Sequence, residues 1–147
     1  IDMTKMFFGV MVTLIAITIQ SCHNADLPKQ GSRNNYEYTF DVFATDGDAN
    51  LSFITSSDGD ATQIKDGDKV HNTRQYDASI KKGDHKVYSI TTQGAREFRV
   101  KITVLKSSAS GYWVFTGKRN GKVVRTEKHN FKGRNGKEVT EYWNSTL

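Results

Sequence analysis

The sequence has a single cysteine, a single proline and no apolar run long enough to make an ordinary membrane-spanning helix. One cysteine cannot form a disulfide within the chain, so packing alone must hold the fold together. The longest apolar run, residues 6–19, has 14 residues. As a helix it would be about 21 Å long, against a bilayer core of about 30 Å. We therefore expect this run to be removed rather than to stay in a membrane as a spanning helix.

Short motifs that mark common catalytic and metal sites are also absent from the sequence. There is no Gly-x-Ser-x-Gly nucleophile elbow, and the four histidines have no spacing typical of a metal site. The lone thiol lies at the end of the apolar run, and no spacing of acidic residues selects a pair for glycoside cleavage. We expect a protein that is not an enzyme and has no catalytic residues.

The first 22 residues are organised like a secretory signal, with Lys5 before the apolar run and Cys22 after it. The end of the run resembles the lipobox of bacterial lipoproteins, which has an aliphatic residue three before the cysteine and a small one directly before it. Ile19 and Ser21 fill these positions, and the less usual Gln20 resembles the looser motif of Bacteroidota. The resemblance implies cleavage before Cys22 and covalent lipid on this residue. An ordinary secretory signal with an incidental cysteine is the alternative.

This reading divides the chain into a signal peptide (1–21), a lipidated Cys22 with a flexible tether (22–35) and a folded domain (36–147). The tether is polar and contains Pro28 and Gly31. We expect the lipid to anchor the protein at the bacterial outer membrane. Asp26 is the one acidic residue shortly after Cys22, whereas surface-exported Bacteroidota lipoproteins often have an acidic cluster there, so both the periplasmic and the cell-surface face stay open.

From Tyr36 onward, hydrophobic and polar residues alternate with a period of two, as half-buried strands require. No window of twelve residues shows a helical stripe. The Asn120-Gly121 and Asn135-Gly136 pairs are typical of two-residue hairpin turns, and Asp-Gly pairs mark further turns. We predict an all-β fold, a single antiparallel sandwich of about seven or eight strands with an immunoglobulin-like arrangement. A small closed barrel is the main alternative.

Four segments in order support the sandwich through a second resemblance. The segments DGDANLSFITSSDGDATQI, ASIKKGDHKVYSITTQ, FRVKITV and RNGKVVRTEK are similar to small secreted sandwich domains of the MmpS kind. That family is named for mycobacterial transport accessory proteins and also occurs as bacterial lipoproteins. The resemblance rests mainly on the turns and implies a β-sandwich.

Charge is distributed unevenly along the chain. Residues 23–100 carry ten Lys and Arg against twelve Asp and Glu, whereas residues 101–147 carry ten against three. The basic C-terminal part favours an acidic partner, such as anionic lipid head groups, lipopolysaccharide, an anionic glycan or an acidic protein face. Solvated strand faces are the alternative, and nucleic acid does not fit the predicted compartment.

Two aromatic pairs and several cations form the predicted partner or ligand surface, because aromatic faces stack on sugars and anchor protein interfaces. Its members are Tyr112, Trp113, Arg119, Lys122, Arg125, Lys128, Arg134 and Trp143. In the alternative reading, one member of each pair, Tyr112-Trp113 and Tyr142-Trp143, enters the core while the other covers its rim.

Three Asp-Gly-Asp triplets are the candidates for calcium, a cation that prefers carboxylate oxygens. The six carboxylates belong to Asp46, Asp48, Asp58, Asp60, Asp66 and Asp68. The first triplet opens like an EF-hand loop, but Leu51 and Ser57 occupy the positions of its glycine and its glutamate. We therefore expect plain turns and no cofactor besides the lipid, with calcium as the alternative.

These observations together predict a non-catalytic, membrane-anchored envelope lipoprotein. We expect it to be an accessory or interaction subunit of an outer-membrane transport complex, with an envelope protein as partner. The alternative is a surface lipoprotein that binds a glycan or lipopolysaccharide.

Overall fold

The part of the chain from Arg33 to Leu147 forms one compact unit. The computed structural model describes residues 31–105, 109–132 and 137–147. The predicted signal, Cys22 and most of the predicted tether lie outside these residues, as do Arg134 and the Asn135-Gly136 pair. Among the described residues, no helix is long and apolar enough to cross a bilayer.

In the described part of the chain, ten strands build two antiparallel sheets. The strands are β1 (Asn34–Asp46), β2 (Ala49–Ser57), β3 (Gln63–Asp66), β4 (Lys69–His71), β5 (Gln75–Ile80), β6 (His85–Ala95), β7 (Phe98–Val104), β8 (Ser110–Arg119), β9 (Lys122–Phe131) and β10 (Glu138–Trp143), followed by a 3₁₀ helix (Asn144–Thr146). One sheet has six strands in the order β4-β3-β6-β1-β8-β9, and the other has four in the order β10-β7-β2-β5.

The predicted all-β antiparallel sandwich is confirmed, and the closed barrel is excluded because each sheet ends in two edge strands. The structure has ten strands rather than seven or eight. The difference comes mainly from β3 and β4, which form a short hairpin around Gly67 and Asp68. With four and three residues, these strands are too short for an alternation of two to be recognised.

Aromatic side chains fill the space between the sheets. Phe40 of β1 lies 5.6 Å from Phe53 of the opposite sheet, and 5.4 Å from both Phe115 and Tyr142, measured between ring centroids. All four rings are buried. Burying a large apolar side chain contributes about 1.5–3 kcal/mol, so this cluster alone joins the two sheets firmly without a disulfide.

The predicted hairpin at Asn120-Gly121 is present between β8 and β9. Arg119 and Lys122 are directly opposite each other, which leaves a two-residue loop. Both loop residues have positive φ, 50° at Asn120 and 81° at Gly121, as a type I′ turn requires.

Candidate interaction surfaces

The first aromatic pair is divided between the core and the surface, because neighbouring residues of a strand point to opposite faces of the sheet. Trp113 is fully buried, and its Nε1 donates a hydrogen bond to the hydroxyl of Tyr142 at 2.8 Å. Burial raises the pKa of the Tyr142 hydroxyl. The place of Trp113 in the predicted partner surface is therefore wrong. One member of each pair enters the core, as the alternative expected, while Tyr112 and Trp143 lie on the outer faces of the sheets rather than at the rim of the core.

Tyr112 lies on the outer face of the six-stranded sheet at the end of a stack of rings. Its ring packs on Phe43 with centroids 4.6 Å apart, and the other face of Phe43 packs on His85 at 4.1 Å. The ammonium of Lys128 lies 4.3 Å from the centroid of Tyr112. Protein groups thus occupy both faces of Phe43, and Tyr112 already has a ring and a cation as neighbours. A sugar ring cannot stack on faces that are covered in this way.

The second exposed aromatic residue, Trp143, lies on the outer face of the four-stranded sheet. The guanidinium of Arg99 lies 4.6 Å from the ring centroid, and Nε1 of Trp143 donates a hydrogen bond to Glu141 at 3.1 Å. Strand register places Ile54 and Val139 on the same face. Trp143, Ile54 and Val139 are 41%, 42% and 51% exposed. We call the group formed by Trp143, Arg99, Glu141, Ile54 and Val139 the Trp143 patch.

Sequence reasoning found Trp143 but missed the rest of the patch. Arg99 stands on the polar side of the clearest alternation in the sequence, so its outward position was predictable but its partner was not. Ile54 directly follows the core residue Phe53, and this break in the alternation was the available signal that a hydrophobic residue faces solvent. Their place on the same sheet face as Trp143 depends on the order β10-β7-β2 in the sheet.

The predicted cations do not share one face. Arg125 points toward the gap between the edges of the two sheets, where it pairs with Glu127 and donates to the carbonyl of Thr146 at 3.3 Å. Lys128 lies over Tyr112 on the outer face. Arg119 and Lys122 flank the hairpin turn.

A histidine joins β9 and β10, which are the edge strands of the two sheets on the same side of the sandwich. Nε2 of His129 lies 2.7 Å from Oε1 of Glu138 and 3.5 Å from Oγ1 of Thr140. In a catalytic triad the carboxylate and the hydroxyl contact different ring nitrogens, so that the imidazole can relay a proton between them. Here both contact the same nitrogen, which suits a structural link rather than nucleophile activation.

Carboxylates of the Asp-Gly-Asp triplets are used within the protein. Oδ1 of Asp58 accepts hydrogen bonds from the backbone N–H groups of Glu97 and Arg96 at 3.0 and 2.8 Å. These bonds hold the pKa of the Asp58 carboxyl below its usual value of 3.8. Asp58 thus fixes the turn between β6 and β7.

The other triplets have similar structural partners. Asp46 lies 3.9 Å from the ammonium of Lys82, and Asp48 accepts a hydrogen bond from the backbone N–H of Lys82 at 3.0 Å. Asp66 accepts a bond from the hydroxyl of Tyr76 at 2.6 Å, which raises the pKa of Tyr76 to about 12. Within the described ranges, no three His, Cys, Asp or Glu residues gather as a metal site would require.

No protein-family model and no curated protein matches the chain. The fold does match solved structures. A protein from Parabacteroides distasonis, determined by NMR in its calcium-bound form, is 22% identical, with a TM-score of 0.52 over 79% of this chain and 97% of that one. A domain of unknown function, DUF4425, from Bacteroides vulgatus is 15% identical, with a TM-score of 0.47 over 79% and 95%.

A DUF4425 family protein from Bacteroides ovatus is 12% identical, with a TM-score of 0.45 over 76% of this chain and 94% of that one. All three neighbours come from Bacteroides or Parabacteroides species. At 22% identity, the likeness to the Parabacteroides distasonis protein shows a shared fold and nothing further. Lipidation of Cys22 and the MmpS resemblance stay predictions.

Proposed function

We propose that this protein is a non-catalytic, lipid-anchored envelope protein that binds another envelope protein through the Trp143 patch. The sequence supports the anchor, since Cys22 directly follows a short apolar run that ends in a lipobox-like motif. In this proposal the protein is an accessory subunit of an outer-membrane complex, and the sandwich is the part that contacts its neighbour.

The observation that carries the proposal is the exposed indole of Trp143 with the guanidinium of Arg99 over it. Tryptophan and arginine are the residue types most enriched among those that dominate protein interfaces. Ile54 and Val139 are also exposed on this sheet face, where the register places Lys101 between Ile54 and Glu141. Exposed apolar residues with charged side chains beside them occur together in protein interfaces.

The glycan alternative has less support, because a sugar-binding platform needs free aromatic faces. Phe43 is enclosed between His85 and Tyr112, and Trp113 is buried. The non-catalytic part of the proposal is supported by His129, whose contacts with Glu138 and Thr140 use one ring nitrogen.

Calcium is a second candidate ligand, and one observation favours it, namely that the Parabacteroides distasonis protein was solved in a calcium-bound form. The carboxylates to test are those of the three triplets. Their existing bonds to Lys82, Tyr76 and the backbone near Glu97 compete with such binding.

The anchor is tested by labelling cells with a radioactive fatty acid. We expect label on the wild-type protein and none on Cys22→Ala, since this chain has no other thiol. Unlabelled wild-type protein released into the medium would refute the anchor.

The patch is tested by purifying the complex from detergent-solubilised membranes with Trp143→Ala. Truncating a dominant interface residue costs about 2 kcal/mol or more, roughly a thirtyfold loss of affinity. Val123→Ala is the matched control, because Val123 is 58% exposed and lies on the other sheet. A stoichiometric partner retained equally by both variants would refute the patch. Binding to a glycan array without a protein partner would favour the alternative.

A further inference from the structure

The tip of the β8–β9 hairpin is fastened to the point at which the chain enters the sandwich. The backbone N–H of Asn120 donates to the carbonyl of Asn35 at 2.8 Å, and the backbone N–H of Asn35 donates to Oδ1 of Asn120 at 2.9 Å. Nδ2 of Asn120 donates to Oδ1 of Asn34, also at 2.9 Å. The tip therefore cannot leave the first residues of β1 without breaking these three bonds.

Four cations lie at or next to the tip, with two carboxylates beside them. Glu37 of β1 is opposite Lys118 in the register, and Arg33 is near enough to Asp58 to help lower its pKa. Residues 98–126 contain no Asp or Glu, and Lys118, Arg119 and Lys122 flank the turn. Arg33 is exposed at the start of the unit and donates a hydrogen bond to the carbonyl of Gly94 at 2.8 Å. Arg119 and Lys122 are directly opposite each other, on the two sides of the turn.

Chain length limits how far this tip can lie from the predicted lipid. Ten residues, 23–32, separate Cys22 from Arg33, and fully extended they span at most about 35 Å. Exposed charges interact over about 10 Å at moderate ionic strength. A tether of this length lets the tip reach the membrane surface and keeps it from moving far away.

We propose that the basic tip, formed by Arg33, Lys118, Arg119 and Lys122, binds the phosphate groups of anionic phospholipids in the membrane that holds the lipid. This inference rests on the proposed function, because it needs the anchor at Cys22. Clusters of Lys and Arg next to a membrane attachment are attracted to anionic head groups, and they add to the binding that acyl chains provide. The tip then orients the sandwich with the β8–β9 hairpin toward the bilayer.

The experiment uses the acylated full-length protein in vesicles, with flotation to measure anchoring and lysine acetylation to measure contact. With phosphatidylglycerol in the vesicles, we expect Lys118 and Lys122 to be acetylated several-fold more slowly than in pure phosphatidylcholine. About 0.5 M salt should abolish the difference by screening. Lys65 and Lys82, which are exposed and lie away from the hairpin turn, are internal controls whose rates should not change.

A charge variant completes the design. On anionic vesicles, we expect the wild-type protein to be protected from limited proteolysis at Arg33 and its neighbours, and salt should remove this protection. The triple variant Lys118→Gln, Arg119→Gln and Lys122→Gln should still float but should lose the protection. The double variant Lys65→Gln and Lys82→Gln should behave like wild type. If the protein floats but Lys118 and Lys122 are acetylated at equal rates in both lipids, the proposed contact of the tip with anionic phospholipids is refuted and the anchor is not. Failure to float would refute the anchor and the tip together. Protection only with lipopolysaccharide, or only with an acidic envelope protein, would also overturn the proposal.

Discussion

Two tyrosine hydroxyls are buried in the core with different consequences. The hydroxyl of Tyr142 accepts the hydrogen bond of the Trp113 indole, so it satisfies a buried donor. The hydroxyl of Tyr88 is buried without a hydrogen-bond partner among residues 31–105, 109–132 and 137–147, and burial raises its pKa. A buried polar group without a partner costs free energy, whereas a paired one contributes about 1 kcal/mol.

We predict that Tyr142→Phe lowers the free energy of unfolding by about 1–3 kcal/mol, because it leaves the buried Nε1 of Trp113 without an acceptor. Tyr88→Phe is the matched control and should be neutral or stabilising, because it removes an unpaired hydroxyl. Urea denaturation of both variants measures the difference. Equal losses would mean that the Trp113 bond contributes nothing to stability.

Asp58 gives the stability of the turn between β6 and β7 a pH dependence. The pKa of the Asp58 carboxyl is lower in the folded protein than its usual value of 3.8. Its charged form therefore stabilises the fold at pH values above 3.8. This contribution is lost as the pH falls through the lowered pKa. We predict that Asp58→Asn, which keeps an acceptor but not the charge, melts at a lower temperature than wild type at pH 7. The gap should close below pH 3.8, and a gap that stayed constant with pH would contradict the role of the charge.

Strand β9 forms one edge of the six-stranded sheet. Charged side chains project from it toward both faces of that sheet. The register places Glu127 opposite Phe115 and His129 opposite Trp113, so both polar side chains point toward the core side. His129 packs on the Trp113 ring at 4.5 Å and reaches Glu138 of β10. Inward-pointing charges on an edge strand are a known protection against edge-to-edge pairing.

We predict that the double change Glu127→Val and His129→Val makes the protein associate at micromolar concentrations, because an apolar edge pairs with a second copy. The control is Thr126→Val with Asn130→Val, which changes exposed residues on the same strand and should leave the protein monomeric. Sedimentation velocity separates the two outcomes. A monomeric double variant at Glu127 and His129 would show that these two side chains do not protect the edge strand from pairing.

The complete sandwich has its cations and carboxylates distributed differently. Four cations lie at or next to the hairpin tip, whereas the triplet carboxylates are spread over three separate turns, where those of Asp58, Asp48 and Asp66 accept hydrogen bonds within the protein. Binding of an ion to the folded state alone would raise its stability in proportion to the logarithm of ion concentration. A change of melting temperature with calcium concentration would therefore reveal calcium binding at any of the three turns.

We predict that about 5 mM calcium, which exceeds the dissociation constants of even weak extracellular sites, changes the melting temperature by less than about 1 °C. Binding with a dissociation constant of about 1 mM would contribute about 1 kcal/mol and raise the melting temperature by roughly 4 °C in a domain of this size. Magnesium at the same concentration controls for ionic strength. A rise specific to calcium would establish a site at the triplets and favour the second candidate ligand.

Local sequence was sufficient wherever a property depends on neighbouring residues. The alternation around Phe98 and the Asn120-Gly121 pair predicted a strand and a hairpin that the structure contains. Period and turn chemistry are properties of a few adjacent residues, so an all-β antiparallel sandwich followed from them. The lipidation of Cys22 is also predicted from adjacent residues, and labelling will test it.

Contacts between distant segments followed from the order and register of the strands and could not be read from neighbouring residues. Whether Tyr112 or Trp113 enters the core depends on which side of β8 faces the second sheet, and two neighbouring aromatics look equivalent in sequence. Arg99 meets Trp143 because β7 and β10 are adjacent, across more than forty positions of the chain. The core and the Trp143 patch therefore depend on long-range pairing, which hydrophobic burial over the complete chain selects.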